Sequence, residues 1–177
     1  MCRDCLGLLL GNGLDVIDTT TWLCGAPPKN GQFQQYPGRF LCNLKRMYPE
    51  LVDPRCIHVF SGACDWGVTV DFRKDSNAMV VADYTGLPFS NDSMSCGIAD
   101  PPYADHWQGQ WHGELPKPKW ILKEMCRVVK TGGIIGILHI IVIPAYKELG
   151  VERIALHPVL CGPNNAIRVF NVFRKVK

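Results

Sequence analysis

The sequence feature that most constrains the fold is a succession of short apolar runs, three of which carry an acidic residue at or next to their end. The runs are 56–60, 68–72, 78–83, 94–100, 133–143 and 167–175. Near-continuous apolar strands with few polar alternations are typical of a sheet that is covered on both faces. The sequence therefore predicts a central sheet whose strands are buried on both sides.

Helix-like segments accompany these strand-like runs. Residues 40–48 carry apolar side chains at helical spacing and stop before Pro49, and 117–130 form a second helix candidate. Strands interleaved with helices predict an α/β fold with a mostly parallel sheet. The connections between the first three strands are short, so any helices there have to be small or missing.

Chemically informative residues stand where the predicted strands end. The stretch 59–64 (VFSGAC) closes the first strand with a turn at Gly62, which allows close approach of a ligand to the backbone. Asp71, Asp83 and Asp100 close the next three strands. In open parallel sheets, ligands bind outside the carboxyl ends of the strands, and an acidic residue after the second strand commonly accepts hydrogen bonds from a ribose diol. We therefore expect a binding site here; the alternative is a set of solvated turn carboxylates.

The sharpest motif is Asp100-Pro101-Pro102-Tyr103, which directly follows an apolar run. The two prolines fix the backbone and remove two amide donors, so the motif is rich in hydrogen-bond acceptors. Acceptors on both N–H bonds of an aromatic amine stabilise the positive charge that develops when the nitrogen is methylated. Tyr103 offers a face on which a planar base can stack. The alternative interpretation is a rigid proline-rich turn.

Three stretches, 59–64 followed by Asp71, 82–103 and 122–133, together resemble class I methyltransferases of the amino-directed type, which modify adenine N6 or cytosine N4 in DNA. The resemblance covers about 36–175. It implies a Rossmann-like fold with a mostly parallel seven-stranded sheet, helices on both faces, and S-adenosylmethionine as cofactor. The implied cofactor contacts are Phe60, Ser61 and Gly62 in the glycine loop, Asp71 at the ribose, and Asp83 with Tyr84 at the adenine. The implied catalytic residues are Asp100, Pro101, Pro102 and Tyr103.

The expected substrate is a nucleic-acid base. DNA adenine is favoured because Asp rather than Ser opens the motif, and RNA is the alternative. Two features depart from the family pattern. Cys64 occupies the second glycine position of the loop, and only 104–115 follows the motif where related enzymes carry a large target-recognition region. We therefore expect a separate specificity subunit or a homodimer as partner; a catalytically idle binding or scaffold protein is a further alternative.

Length and charge set the remaining expectations. With 177 residues the chain is about one domain long, divided into an N-terminal extension, 1–35, and a methyltransferase domain, 36–177. Neither a secretory signal nor an apolar stretch long enough for a membrane span is apparent, which favours a cytoplasmic protein. The net charge of +3 permits nucleic-acid binding without requiring it. Two basic groups serve either nucleic-acid contact or a solvated surface: Lys117, Lys119, Lys123, Arg127 and Lys130, then Arg168, Arg174, Lys175 and Lys177.

The cysteine content leaves the question of a metal open. The chain has nine cysteines, and Cys2 with Cys5 has the spacing of a zinc knuckle. Cys24 and Cys42 follow far apart, outside any second pair of that spacing. Structural zinc and free thiols both remain interpretations of this pattern.

Overall fold

The computed structural model describes residues 17–26, 36–62, 64–102, 115–162 and 167–177. These residues form eight strands, two α-helices and two short 3₁₀ turns. The strands are β1 Trp22–Leu23, β2 Cys56–Val59, β3 Val68–Asp71, β4 Val80–Val81, β5 Cys96–Ala99, β6 Ile134–His139, β7 Val151–Leu160 and β8 Arg168–Lys175. The helices are α1 Phe40–Met47 and α2 Pro118–Val128, and the 3₁₀ turns are Pro49–Val52 and Lys147–Leu149.

The strands form one sheet in the order β1-β7-β8-β6-β5-β2-β3-β4. Strand β8 runs antiparallel to both of its neighbours, β6 and β7, and the other neighbouring strands are parallel. The prediction of a mostly parallel sheet is confirmed, whereas the count of seven strands is wrong because the described sheet is mixed and has eight.

The two strands that the sequence patterns did not predict are β1 and β7. Strand β7 contains Glu152, Arg153 and Pro158, and charged residues and proline are depleted in strands. It forms nonetheless because it is held on one side by β8 and on the other by β1. Partners distant in the sequence override a weak local preference.

The core consists of two hydrophobic clusters, one on each face of the sheet. Alternate side chains of one strand enter different clusters: Ile135 packs with α2, whereas Ile134 packs with α1. Helix α2 begins with Pro118, whose fixed φ suits the first helical position, and α1 ends before Pro49, which cannot continue a helix. Both predicted helices are thus confirmed, with one on each face.

The start of the described chain is integrated into this core. Trp22 of β1 is 1% exposed, and its ring stacks 4.8 Å from His157 of β7. His157 contacts the Thr20 carbonyl through Nδ1 (2.8 Å) and the Tyr48 hydroxyl through Nε2 (2.6 Å). Part of the segment assigned to an N-terminal extension therefore belongs to the sheet, while the boundary at residue 36 stays a prediction.

The described helices are all too short to cross a lipid bilayer.

Candidate active site

The candidate site lies at one edge of the sheet, where four neighbouring parallel strands end. Strands β5, β2, β3 and β4 lie side by side and run in one direction, so their carboxyl ends meet at the same edge. The glycine loop follows β2, Asp71 ends β3, Asp83 follows β4 and Asp100 follows β5. The structure thus brings together at this edge the described residues that the sequence predicts for the site. Tyr103 and residues 104–114 of the segment that follows the motif lie outside the described residues.

The glycine loop is held in an unusual backbone conformation. Phe60 and Gly62 both have positive φ, +60° and +52°. A bulky residue rarely adopts this region, and such conformations are concentrated at functional sites. Ser61 between them is buried, and within the described part of the chain its hydroxyl has no hydrogen-bond partner. A buried hydroxyl without a partner marks a point where a bound group can complete the hydrogen bonding.

Asp71 is the anchor of this loop. Its side chain is 0% exposed, and Oδ2 accepts a hydrogen bond from the Gly62 amide at 3.1 Å. Oδ1 accepts bonds from the backbone amide and the Nε of Arg73, at 3.0 and 3.3 Å. Both oxygens are therefore already engaged within the protein. The carboxylate holds the loop through Gly62, and the ribose contact that the family resemblance implies stays a prediction.

Asp83 and Tyr84 follow β4 at the same edge of the sheet. Asp83 is exposed, and its Oδ1 accepts bonds from the Thr85 amide and hydroxyl at 2.8 and 2.6 Å. The Tyr84 ring lies 5.3 Å from that of Phe60, so an aromatic pair borders the loop.

Asp100 follows β5, which lies between β6 and β2 in the sheet, and the glycine loop follows β2. Its side chain is 15% exposed, and Pro101 and Pro102 after it are buried. Burial raises the pKa of Asp100 to about 6, although the nearby Arg168 guanidinium acts in the opposite direction. The Arg168 Nη1 atom lies 3.9 Å from Asp100 Oδ2. A carboxylate with a raised pKa at a strand end is a frequent feature of functional sites.

Cys64 occupies the second glycine position of the loop, and its side chain contacts a buried residue of the protein. Its sulfur lies 3.1 Å from Nδ1 of His58, a fully buried residue of β2. Burial lowers the pKa of His58 to about 3 and raises that of Cys64 to about 11, so both groups are neutral at pH 7. The thiol is therefore a poor nucleophile, and the substitution is accommodated by a contact with the strand below the loop.

Two residues at this site were not among the predicted site residues. Arg168 appeared only as part of a basic group near the end of the sequence, and Tyr36 only as the first residue of the stretch that the family resemblance covers. Tyr36 stacks on Phe40 of α1 at 4.9 Å, and the Asp100 carboxylate contributes to raising the pKa of its hydroxyl, after burial and Cys64. Nothing in the local pattern identified them, because their neighbours in space are distant in sequence.

The basic group on α2 is smaller than the sequence indicates. Arg127 donates to the Leu87 and Phe89 carbonyls, at 2.8 and 2.7 Å, and pairs with Glu124, so it holds the 87–91 turn. Lys119 pairs with Glu148 at 2.9 Å. These two cations serve internal contacts.

Structural zinc and free thiols both stay interpretations of the cysteine pattern. Cys2 and Cys5 lie outside the described residues, Cys24 is buried and Cys42 is exposed. Among the residues that are described, no group of three or more metal-ligating side chains is suited to hold an ion. His139 at the end of β6 is buried, which lowers its pKa to about 4.

Comparison with known proteins identifies the fold. Neither a protein-family model nor a curated protein sequence matches the chain. A candidate methyltransferase from Bacillus halodurans C-125 has a similar structure, with 12% identity, a TM-score of 0.54, and coverage of 79% of this chain and 100% of that one. The chain therefore has a Rossmann-like methyltransferase fold, here with a mixed eight-stranded sheet.

Two further solved structures are more distant. A SAM-dependent methyltransferase from Aquifex aeolicus has 12% identity and a TM-score of 0.44, covering 81% of this chain and 100% of that one. The Haloferax volcanii complex between the Trm112 methyltransferase activator and a candidate methyltransferase has 12% identity and a TM-score of 0.49, covering 69% and 82%.

Proposed function

We propose that this protein is an S-adenosylmethionine-dependent methyltransferase that modifies an exocyclic amino group of a nucleic-acid base, with adenine in DNA as the favoured target. The observation that carries the proposal is the placement of Asp100-Pro101-Pro102 at the carboxyl end of β5, beside the strained glycine loop that follows β2. The methyltransferase fold supports the class of reaction. The motif supports the amino group as acceptor.

The residues around the glycine loop fit the proposed cofactor. The unpartnered Ser61 hydroxyl offers a hydrogen bond to a polar group bound at the loop. The exposed Asp83 carboxylate provides an acceptor, and the aromatic pair of Phe60 and Tyr84 provides apolar surface for a planar ring. Asp71 acts on the same site indirectly, because it holds Gly62 in place.

When bound, S-adenosylmethionine supplies an electrophilic methyl group on a positively charged sulfur. The task of the protein is to hold the amino nitrogen of the substrate and to stabilise the positive charge that develops on it. The Asp100 carboxylate accepts a hydrogen bond from one N–H of the amino group. The carbonyl of Pro101 in the same rigid turn is the acceptor for the other N–H. The excess proton then leaves the nitrogen for Asp100 or for solvent.

A labelling experiment tests this function. The protein is incubated with methyl-labelled S-adenosylmethionine and with duplex DNA, single-stranded DNA or structured RNA, and the product nucleosides are separated. We expect label on adenine in a DNA substrate. Label on RNA would redirect the substrate assignment, and cofactor binding without label on any nucleic acid would contradict the nucleic-acid proposal. Absence of cofactor binding would favour an idle scaffold with this fold.

The role of Asp100 is tested by the variant Asp100→Ala, with Asp75→Ala as the matched control because Asp75 is exposed. Loss of the carboxylate is expected to slow transfer about 10²-fold or more, since it removes charge stabilisation that acts in the transition state. Cofactor affinity, measured by calorimetry, is expected to stay within about threefold of wild type. An equal loss of affinity and rate would show that Asp100 belongs to the cofactor site.

A further inference from the structure

The ion pair between Arg168 and Asp100 connects two strands that are not neighbours. Arg168 begins β8 and Asp100 follows β5, and β6 lies between these strands in the sheet. Neighbouring strands are about 4.8 Å apart, so the guanidinium reaches across the end of β6 to come near the carboxylate. The side chains are 22% and 15% exposed, so water screens this pair only in part.

The other described groups around Asp100 are neutral at pH 7. Tyr36 faces it from before α1, and Cys161 faces it from after β7; burial raises the pKa of both, so both are neutral at pH 7. His139 ends the intervening strand β6, and burial lowers its pKa to about 4, so it is neutral as well. Among the described residues that face Asp100, the cation is Arg168.

We propose that Arg168 is a positioning residue that keeps Asp100 ionised, so that its carboxylate accepts a hydrogen bond from the substrate amino group. This inference rests on the proposed function of Asp100. A carboxyl group that is protonated donates a hydrogen bond through its O–H, and it no longer offers a negative charge to the developing cation on nitrogen. Because burial opposes ionisation at this position, an adjacent positive charge decides which form is present near neutral pH.

The first test measures the Asp100 carboxyl directly by ¹³C NMR titration of the full chain, with the resonance assigned through Asp100→Asn. In Arg168→Gln the midpoint is expected to rise by about one pH unit or more. Arg168→Lys keeps the charge and is expected to shift it by less than half as much. Arg174→Gln is the matched control, since Arg174 is an exposed arginine near the other end of β8. An unchanged midpoint in Arg168→Gln would overturn the proposal.

Two further measurements complete the test. If Arg168→Gln does not fold, 1 M salt is expected to raise the wild-type midpoint measurably, because salt screens a partly exposed pair; a midpoint insensitive to salt would count against the ion pair. In the methyl-transfer assay, the acidic limb of kcat/KM is expected to move with the NMR midpoint in Arg168→Gln, and to move by less than half as much in Arg168→Lys. If Arg168→Gln shifts the NMR midpoint of Asp100 but leaves the pH profile of kcat/KM unchanged, the proposed role of Arg168 in the reaction is refuted. Failure of wild type to transfer methyl groups would refute the proposed function, while the NMR result would still decide the state of the pair.

Discussion

One substitution at Asp71 distinguishes two roles of its carboxylate: holding the glycine loop, and contacting a bound cofactor directly. Replacement by asparagine in Asp71→Asn keeps the size of the side chain and removes its charge. The native carboxylate accepts bonds from Gly62 on one oxygen and from Arg73 on the other, in a position with 0% side-chain exposure. An asparagine side chain has one acceptor oxygen and one NH2 group. On one side, therefore, an NH2 donor would face an N–H donor of the protein.

The expected cost follows from these contacts. One charge-assisted hydrogen bond, worth about 1.5–3 kcal/mol, is lost, and one buried N–H donor is left without an acceptor. Because the loop can relax in part, we expect a loss of about 2–4 kcal/mol in the free energy of unfolding. For a chain of this size, 1 kcal/mol corresponds to a shift of about 2–4 °C in Tm, so Tm is expected to fall by about 5–15 °C.

The assay is urea and thermal denaturation of the protein without cofactor, followed by cofactor titration. Asp83→Asn is the matched control: Asp83 also follows a strand at this edge, but it is exposed, and among the described residues its carboxylate bonds only to Thr85. We expect the control to lose less than about 1 kcal/mol. Asp71→Asn is expected to weaken cofactor binding as well, because the loop that carries Gly62 is no longer fixed.

The result that would refute this reasoning is an unchanged Tm for Asp71→Asn together with weakened cofactor binding. That combination would mean that Asp71 contacts the bound cofactor directly, as the family resemblance implies. Loss of stability in the cofactor-free protein has no explanation in a ribose contact alone.

Two further predictions concern the core. In Tyr48→Phe the buried His157 Nε2, which lies 2.6 Å from the Tyr48 hydroxyl, loses its donor; we expect a loss of about 1–3 kcal/mol in urea denaturation, and an unchanged midpoint would show that the bond contributes nothing. In Gly136→Ala the new methyl group would lie 2.4 Å from Cζ of Phe170, so we expect overpacking to cost about 1–3 kcal/mol. Gly86→Ala is its control, since outside Gly86 and its two chain neighbours no heavy atom of the described residues lies within 4 Å of the added carbon there; equal effects in both variants would refute the packing argument.

The parts of the fold that the sequence predicted are those with a strong local pattern. The runs at 56–60, 94–100 and 133–143 became strands β2, β5 and β6 because continuous apolar side chains suit a strand covered on both faces. Helix α2 was predicted as a helix over 117–130, and its bounds differ from that prediction by one residue at the start and two at the end.

Other features depended on partners that local pattern does not reveal. In the sequence, Arg127 belongs to a basic group. In the structure, its guanidinium donates hydrogen bonds that hold the 87–91 turn. Strand β7 has an unfavourable local sequence because of Pro158 and its charged residues, yet it is ten residues long and eight of them pair with β8. In both cases a contact across the fold decided the outcome.

The same division applies to the candidate site. The sequence by itself determined that a glycine turn and three carboxylates stand at successive strand ends, because a strand end is a local property of the chain. Only the tertiary structure decided that Asp71 faces inward to the loop, that Cys64 contacts His58, and that Arg168 reaches Asp100. The physical reason is that these contacts depend on the order and direction of strands in the sheet. That order is set by how all the buried faces pack together, and the period of any single segment does not contain it.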